Sequence, residues 1–175
     1  MRDTKLSNQQ YFCIRHFEVM NAETNQIEGK KVLIIDDDQF SVLLTELKLK
    51  QFTKRGNIKS VGSVNDAVDY LGEVLKKRPA VVPELILLET SMNDNDGWGF
   101  ISFFEEIKKS TDHPMQLVIL TSSQFFSDFR RSQSHPSVTG FLMKPMKVEM
   151  LNKLLNSSSN ARNINGEVLI NSFVV

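Results

Sequence analysis

The sequence predicts an α/β fold: a doubly wound, five-stranded parallel sheet with helices on both faces. The first observation is a set of short apolar runs bounded by polar or turn-forming residues, which is typical of strands buried in a parallel sheet. Four such runs cover residues 32–35, 85–88, 117–120 and 141–143, and residues 58–61 are predicted as a further short strand. The second is that segments with helical spacing of apolar residues alternate with the runs, which favours right-handed crossover connections. A chain of 175 residues is normally one domain with a real core.

Capping residues and one-sided apolar stripes predict the helices. Asp38 can cap a helix over residues 39–54, and Ser63 with Asp66 resembles a capping box that opens the second helix. Further helices are predicted over residues 97–110, 123–132 and 148–155. In chain order, the apolar stripes are Val42, Leu43, Leu47 and Leu49; Ala67, Val68, Leu71, Val74 and Leu75; Phe100, Ile101, Phe104 and Ile107; Phe125, Phe126 and Phe129; and Met150, Leu151, Leu154 and Leu155.

Composition excludes several classes of partner. Basic and acidic residues balance at 21 each, so no global field steers the chain to nucleic acid or to an anionic membrane. The single Cys13 permits no internal disulfide, which fits a reducing compartment. No stretch approaches the ~20 apolar residues that a membrane span needs. We therefore expect a cytoplasmic protein that binds neither nucleic acid nor membrane.

The predicted domain leaves a segment at each end. Residues 1–29 form an N-terminal extension of unknown role with an aromatic patch (Tyr11, Phe12, Phe17), and a packed extension and a linker both stay open. Residues 157–175 form a Ser/Asn-rich linker followed by a short tail with strand-like composition. Ten residues cannot form an output domain, although such a tail can add to an exposed sheet edge.

Polar side chains suited to phosphoryl chemistry follow four of the predicted strands. The carboxyl ends of parallel strands share one edge of a sheet, where ligand sites of open α/β folds lie. Adjacent carboxylates call for a counter-cation, and Mg²⁺ accepts a few carboxylates together with waters. The pattern predicts a magnesium and phosphoryl site. In chain order, its residues are Asp36 and Asp37, Glu89, Thr121, and Lys144 with Pro145.

The order of these motifs resembles the receiver domain of two-component response regulators, over residues 30–156. The resemblance implies a flavodoxin-like sheet with strand order 2-1-3-4-5 and a signalling role rather than an enzymatic one. It implies a histidine kinase or phosphotransfer protein as a partner, together with a downstream target protein. It also implies an output face, open to homodimerisation, formed by the fourth helix, the fifth strand and the fifth helix.

The resemblance assigns a role to each site residue. Asp36, Asp37, Glu89 and the backbone carbonyl of Ser91 would bind Mg²⁺. Thr121 and Lys144 would contact the phosphoryl group, Thr121 and Phe141 would act as the switch pair, and Pro145 would follow a cis peptide bond. One position departs from the family, because Glu89 stands where the phosphoacceptor aspartate is expected. The register is set by Asp96-Gly97-Trp98, which matches the family's Asp-Gly turn into the third helix.

Glutamate carries its carboxylate one C–C bond farther out than aspartate, about 1.5 Å. Glu89 is therefore expected to reach Lys144 or Thr121 without a phosphoryl group. The mimicry is partial, since a phosphate brings a charge of about −2 and three acceptor oxygens. We interpret the chain as a degenerate receiver that is not phosphorylated at Glu89 and is biased towards an active-like surface.

Two alternatives stay open. Asp36-x-Asp38, Thr121 and Lys144 also resemble the first three motifs of haloacid-dehalogenase-like phosphatases. That family needs an acidic pair after the lysine, whereas Glu149 is the only acid between Lys144 and residue 157. The other alternative is a receiver-shaped scaffold that no longer signals.

Overall fold

The computed structural model describes residues 25–92, 97–122 and 126–160. In this part of the chain, five parallel strands form one sheet in the order β2-β1-β3-β4-β5. The strands are β1 (Val32–Ile35), β2 (Ile58–Val61), β3 (Leu85–Leu88), β4 (Gln116–Thr121) and β5 (Val138–Met143). The helices are α1 (Gln39–Leu49), α2 (Val64–Lys77), α3 (Gly97–Ser110), α4 (Phe126–Gln133) and α5 (Val148–Asn160). The predicted fold class and strand order are confirmed.

The core lies in two layers, one on each side of the sheet. Successive strand residues point to opposite faces, so Leu33 and Ile35 of β1 join a cluster with α2 and α3. Val32 and Ile34 join the other cluster, which contains Leu49 of α1 together with Leu151 and Leu155 of α5. Buried strands covered on both faces explain why the apolar runs in the sequence are continuous.

The second and third helices agree with their prediction. Ser63 caps α2 as predicted, because its Oγ accepts from the amide of Asp66, and it also donates to Asp66 Oδ2. The predicted stripe of α3 is buried along its length at Phe100, Ile101, Phe104 and Ile107. Both helices therefore pack as their apolar periodicity indicates.

The prediction for α1 is wrong at its end and on its packed face. The helix stops at Leu49 instead of residue 54, because the chain turns back there and Thr53 Oγ1 donates to the carbonyl of Lys30 at 2.8 Å. Its buried residues are Thr45 and Leu49. Leu43 and Leu47, which we predicted on the packed face, are 49% and 52% exposed.

The described structure extends past residue 30 at one end of the domain and past residue 156 at the other. Ile27 is fully buried in the core, so packing begins before residue 30. Helix α5 runs through Asn160, past the predicted boundary at residue 156. Each added residue of a helix gains a backbone hydrogen bond, which lets the helix continue into a stretch of Ser/Asn composition.

Several predictions fall outside the described residues, namely those for residues 1–24 and 161–175, for Phe125, and for Asp96 of the Asp-Gly turn. Within the described part, no helix combines the length and the apolar character that crossing a membrane would require.

Gly97 places α3 directly against the end of β3. A β-carbon on Gly97 would lie 2.5 Å from the carbonyl oxygen of Glu89 and 2.8 Å from Cα of Thr90. Both atoms belong to the backbone and cannot rotate away. We expect Gly97→Ala to lower the free energy of unfolding by about 1–3 kcal/mol, measured by urea denaturation.

Gly99 in the same helix provides the matched control, because a β-carbon there would meet nothing within 4 Å. We expect Gly99→Ala to raise the free energy of unfolding by up to about 1 kcal/mol through the higher helix propensity of alanine. Equal effects of the two substitutions would contradict the proposed close packing at Gly97.

Candidate functional site

Strand register brings the predicted polar residues to one edge of the sheet. Ile35 pairs with Leu88, so the next residues, Asp36 and Glu89, leave the sheet side by side. The backbone amide of Lys144 donates to the carbonyl of Thr121 at 2.8 Å, which joins the ends of β4 and β5 in the same way. The carboxyl ends of four strands therefore meet, as the sequence predicts.

Lys144 bridges two carboxylates at this edge. Its Nζ lies 2.7 Å from Asp36 Oδ2 and 2.8 Å from Glu89 Oε2. The side chains of both acids are 3% exposed, and that of Lys144 is 14% exposed. The three groups form a buried cluster of two negative charges and one positive charge, in which each ion relies on its partners rather than on water.

The environment shifts two of these groups away from their usual titration range. Burial by itself raises the pKa of Glu89, but hydrogen bonds from Lys144, Thr121 and the amide of Ser91 outweigh burial and place the pKa below 4.5. Burial lowers the pKa of Lys144, but the carboxylates of Asp36 and Glu89 outweigh burial and place it above 10.5. Both shifts favour the ionised pair.

The carboxylate of Glu89 is fully occupied. Oε1 accepts from the amide of Ser91 at 2.9 Å and from the hydroxyl of Thr121. Oε2 accepts from the amide of Ser122 at 3.1 Å and from Lys144 at 2.8 Å. A carboxylate offers about four lone-pair positions, and four donors fill them here. The contacts with Lys144 and Thr121 are those expected from the length of the side chain.

Asp36 is held by three donors. Its Oδ1 accepts from the amide of Asp38 at 3.1 Å, and its Oδ2 accepts from Ser41 Oγ at 2.8 Å and from Lys144. Sequence reasoning missed Ser41 and the amide of Ser122. Ser41 was recognisable in principle, because it lies in the first turn of a helix that starts directly after the acid pair.

The remaining predicted residues lie around this cluster. Asp37 is half-buried beside Asp36. Asp38 caps α1 by accepting from the amide of Phe40 at 3.0 Å. Phe141 is half-buried and packs edge-on against Phe129 of α4, with 5.8 Å between ring centroids.

The peptide bond between Lys144 and Pro145 is cis. A groove of about 260 Å³ opens beside Lys144, and its lining includes Phe40, Leu44 and Pro145. The charged cluster therefore has an apolar entrance between α1 and the loop after β5.

As it is arranged, the donor set already binds an ammonium group where a magnesium ion would compete for the same oxygens. Asp36 and Glu89 direct oxygen atoms at Lys144, which lies where a cation between the two acids would sit. Among residues 25–92, 97–122 and 126–160, no group of three or more His, Cys, Asp or Glu side chains is placed to hold a metal. A cation could enter only by displacing bonds already formed.

The fold and this edge together define a class: a doubly wound α/β domain with acids, a hydroxyl and a lysine at the carboxyl ends of its strands. It has the fold of response regulator receiver domains, since the solved structures similar to it include a two-component response regulator and receiver domains. No protein-family profile matches the sequence, and no curated protein matches it significantly.

A two-component response regulator from Cytophaga hutchinsonii is 26% identical, with a TM-score of 0.65 over 76% of this chain and 98% of that one. A response regulator receiver protein from Dyadobacter fermentans is 24% identical, with a TM-score of 0.60 over 73% and 96%. The receiver domain of a histidine kinase from Arabidopsis thaliana, solved with Mg²⁺ and BeF3⁻, is 18% identical, with a TM-score of 0.63 over 81% and 97%.

Removing the central cation should destabilise the domain. Lys144→Met leaves two buried carboxylates without their partner, which typically costs about 3–5 kcal/mol. We expect a loss of this size in the free energy of unfolding at neutral pH, measured by urea denaturation. Lys109→Met is the control, because Lys109 pairs with Glu106 at the surface and both side chains are more than 70% exposed. That substitution should have little effect.

The loss should also depend on pH. The folded pKa of Glu89 lies below its unfolded value, so its contribution is present above the unfolded pKa and is lost as pH falls through the folded pKa. In Lys144→Met the unpaired acids favour protonation instead. The difference in the free energy of unfolding between wild type and Lys144→Met should therefore become smaller as pH falls from neutral to about 4. A difference that stays constant or widens would show that the buried ion cluster does not carry the effect.

Proposed function

We propose that this protein is a degenerate receiver module of a two-component phosphorelay, which signals through protein contacts without phosphorylation at Glu89. The observation that carries the proposal is the occupied carboxylate of Glu89. Its four donors include Lys144 and the hydroxyl of Thr121, the two groups that the family resemblance assigns to a phosphoryl group. Glu89 itself makes the contacts that phosphorylation would otherwise have to create.

The same contacts disfavour phosphoryl transfer to Glu89. Transfer depends on a nucleophile that is free and placed in line with the leaving group. Each oxygen of Glu89 accepts two hydrogen bonds, and one of the donors to Oε2 is an ammonium group. The carboxylate would have to give up charge-assisted bonds, each worth about 1.5–3 kcal/mol, before it could attack.

We further propose that Asp36, Asp37 and Glu89, with the Ser91 carbonyl, bind magnesium only weakly. The Arabidopsis thaliana receiver domain was solved with Mg²⁺, and the acid pair of this chain offers the oxygen ligands that this ion prefers. Lys144 competes for the same oxygens at 2.7 and 2.8 Å. An ion that demands near-ideal octahedral geometry gains little where two of its ligands must first release an ammonium group.

The contacts of Glu89 connect to the proposed output face. Glu89 binds both Thr121 and Ser122 at the end of β4, shortly before α4 begins. Helix α4 packs on β5 through Phe129 and Phe141, and its Arg131 lies 4.4 Å from the ring centroid of Trp98 in α3. We propose that Thr121 and Phe141 hold α4 in an active-like position. A target protein or a second copy would then bind the face formed by α4, β5 and α5.

Phosphorylation tests the first half of the proposal. Wild type and Glu89→Asp would be incubated with acetyl phosphate and magnesium, and intact mass would be measured. Aspartate is shorter by about 1.5 Å, so it releases Lys144 and Thr121 and restores the acceptor of the family. We expect Glu89→Asp to gain one phosphoryl group and wild type to gain none. A hydroxylamine-labile adduct on Glu89 of the wild type would overturn the proposal.

Glu89→Asn is the matched control for this experiment, since it has the shape of aspartate but cannot form an acyl phosphate. Magnesium titration of the same three proteins tests the weak-binding proposal, and we expect Glu89→Asp to bind at least tenfold more tightly than wild type. Equal affinity of wild type and Glu89→Asp would show that the contacts of Glu89 do not limit the metal site.

The fluorescence of Trp98 tests the link to α4, because the chain contains a single tryptophan. Glu89→Gln removes the charge that attracts Lys144 while keeping the length of the side chain. If the contacts of Glu89 hold α4, Arg131 should move relative to the indole and the emission of Trp98 should change. Glu106→Gln, a substitution at the exposed pair with Lys109 on α3, is the control and should leave the emission unchanged. An unchanged emission spectrum for Glu89→Gln would show that the contacts of Glu89 do not hold α4 in place at the output face.

A further inference from the structure

Helix α1 presents an apolar stripe to solvent. Phe40 is 68% exposed, Leu47 52%, Leu43 49% and Leu44 37%. Their spacing of three, four and seven residues places them on one side of the helix, which is the pattern by which a helix anchors against a partner. Among the described residues, Val81, just before β3, is the one other large apolar residue whose side chain is exposed. Four such residues side by side mark an interaction surface rather than scattered exposure.

The chain enters the domain beside the end of this helix. The amide of Gly29 donates to the carbonyl of Phe52 at 3.3 Å, and Asn57 Nδ2 donates to the carbonyl of Gly29 at 2.8 Å. Ile27 is fully buried in the cluster that contains Leu49 of α1. Residues 25–30 are therefore held against the C-terminal end of α1, and 24 residues precede them in the sequence.

We propose that residues 11–20 of the same chain bind along the exposed stripe of α1. This segment is rich in apolar and aromatic side chains: Tyr11, Phe12, Ile14, Phe17, Val19 and Met20. The distance permits the contact, since α1 is about 16 Å long and the residues between 20 and 25 can span a similar length when extended. Burial of four large apolar side chains supplies the driving force.

Other occupants fit less well. A second copy bound through α1 alone would cover one face of an 11-residue helix, whereas a stable interface buries about 800 Å² on each partner. The tail at residues 166–175 is also apolar, but a polar stretch separates it from the last described residue, Asn160. The N-terminal segment is instead continuous with Ile27, which already packs on this side of the sheet.

This inference goes beyond the proposed signalling function and does not depend on it. Phe40 and Leu44 belong to the stripe and also line the groove that leads to Lys144. A segment bound on α1 would therefore narrow the apolar entrance to the charged cluster.

A disulfide test uses the native thiol, because Cys13 lies within the proposed segment and is the single cysteine of the chain. A second cysteine is introduced at the stripe in Leu47→Cys or Leu43→Cys. The matched control is Val81→Cys, where the replaced side chain is 39% exposed and its neighbour Val82 belongs to the opposite core cluster. Each full-length variant is oxidised with oxygen and a copper catalyst at low protein concentration, so that two thiols lose two hydrogens to form one bond.

We expect at least one stripe variant to form an intramolecular disulfide with Cys13, seen as loss of free thiol with a monomeric mass, at least tenfold faster than Val81→Cys. A disulfide requires Cα atoms about 4.4–6.8 Å apart, so distant thiols react slowly. Equal rates in all variants would overturn the proposal. A covalent dimer formed only by the stripe variants would overturn it in favour of a second copy.

Dye binding by the full chain keeps the proposal testable if the cysteine variants do not fold. Tyr11→Ser, Phe12→Ser and Phe17→Ser, combined in one protein, should uncover the stripe and raise the fluorescence of a hydrophobic dye several-fold. The control combines Leu169→Ser, Ile170→Ser and Phe173→Ser in the C-terminal tail. If only the tail variant raised the dye fluorescence, the tail would be the segment that covers the stripe. If neither variant changed the fluorescence, the stripe would already be uncovered in the wild type. Both results overturn the proposal.

Discussion

The ammonium group of Lys144 is the charge on which the carboxyl edge of the sheet depends. Two carboxylates whose side chains are 3% exposed lie close together, and the repulsion between them calls for a cation at this place. Lys144 provides that cation from the end of β5 and reaches acids at the ends of β1 and β3. It is tied to β4 as well, through the backbone bond from its amide to Thr121. One side chain and its backbone thereby link four strand ends.

Glu89 binds this cation, and neither of its carboxylate oxygens is left free. An aspartate at this position would end one carbon earlier, and its contacts with Thr121 and Lys144 would require another group in between. In this chain the carboxylate closes that gap directly and also accepts from the amides of Ser91 and Ser122. The groups of the cluster therefore satisfy one another's charges and hydrogen bonds. An added ion or phosphoryl group must compete with bonds that are already made.

Much of the fold could be predicted from the sequence, because most of its strands are buried on both faces and appear as continuous apolar runs. The strands at residues 32–35, 58–61 and 85–88 have the predicted bounds. The pairing of Glu89 with Lys144 and Thr121 followed from side-chain length once the strand ends were aligned. The role of Ser41 was missed although it lies in the first turn after the acid pair. The end of α1 was missed because it depends on how the chain folds back at Thr53, which binds Lys30. Local periodicity contains no information about such contacts between distant residues.

Helix α1 has polar side chains on its inward side, at the charged cluster, and apolar side chains on its outward side, in the exposed stripe. The side of the helix that faces the site is polar, because Ser41 binds Asp36 and Lys48 donates to the carbonyl of Met146. Thr45 lies buried between them in sequence, on the same side. Leu49 at the end of the helix is buried in the core, but polar groups that serve the site occupy the earlier inward positions, so Leu43, Leu44 and Leu47 are left exposed. A purely structural helix would place them inward. Their outward position therefore calls for an apolar surface to cover them, and Ile27 shows that the chain preceding β1 already contributes to that side of the sheet.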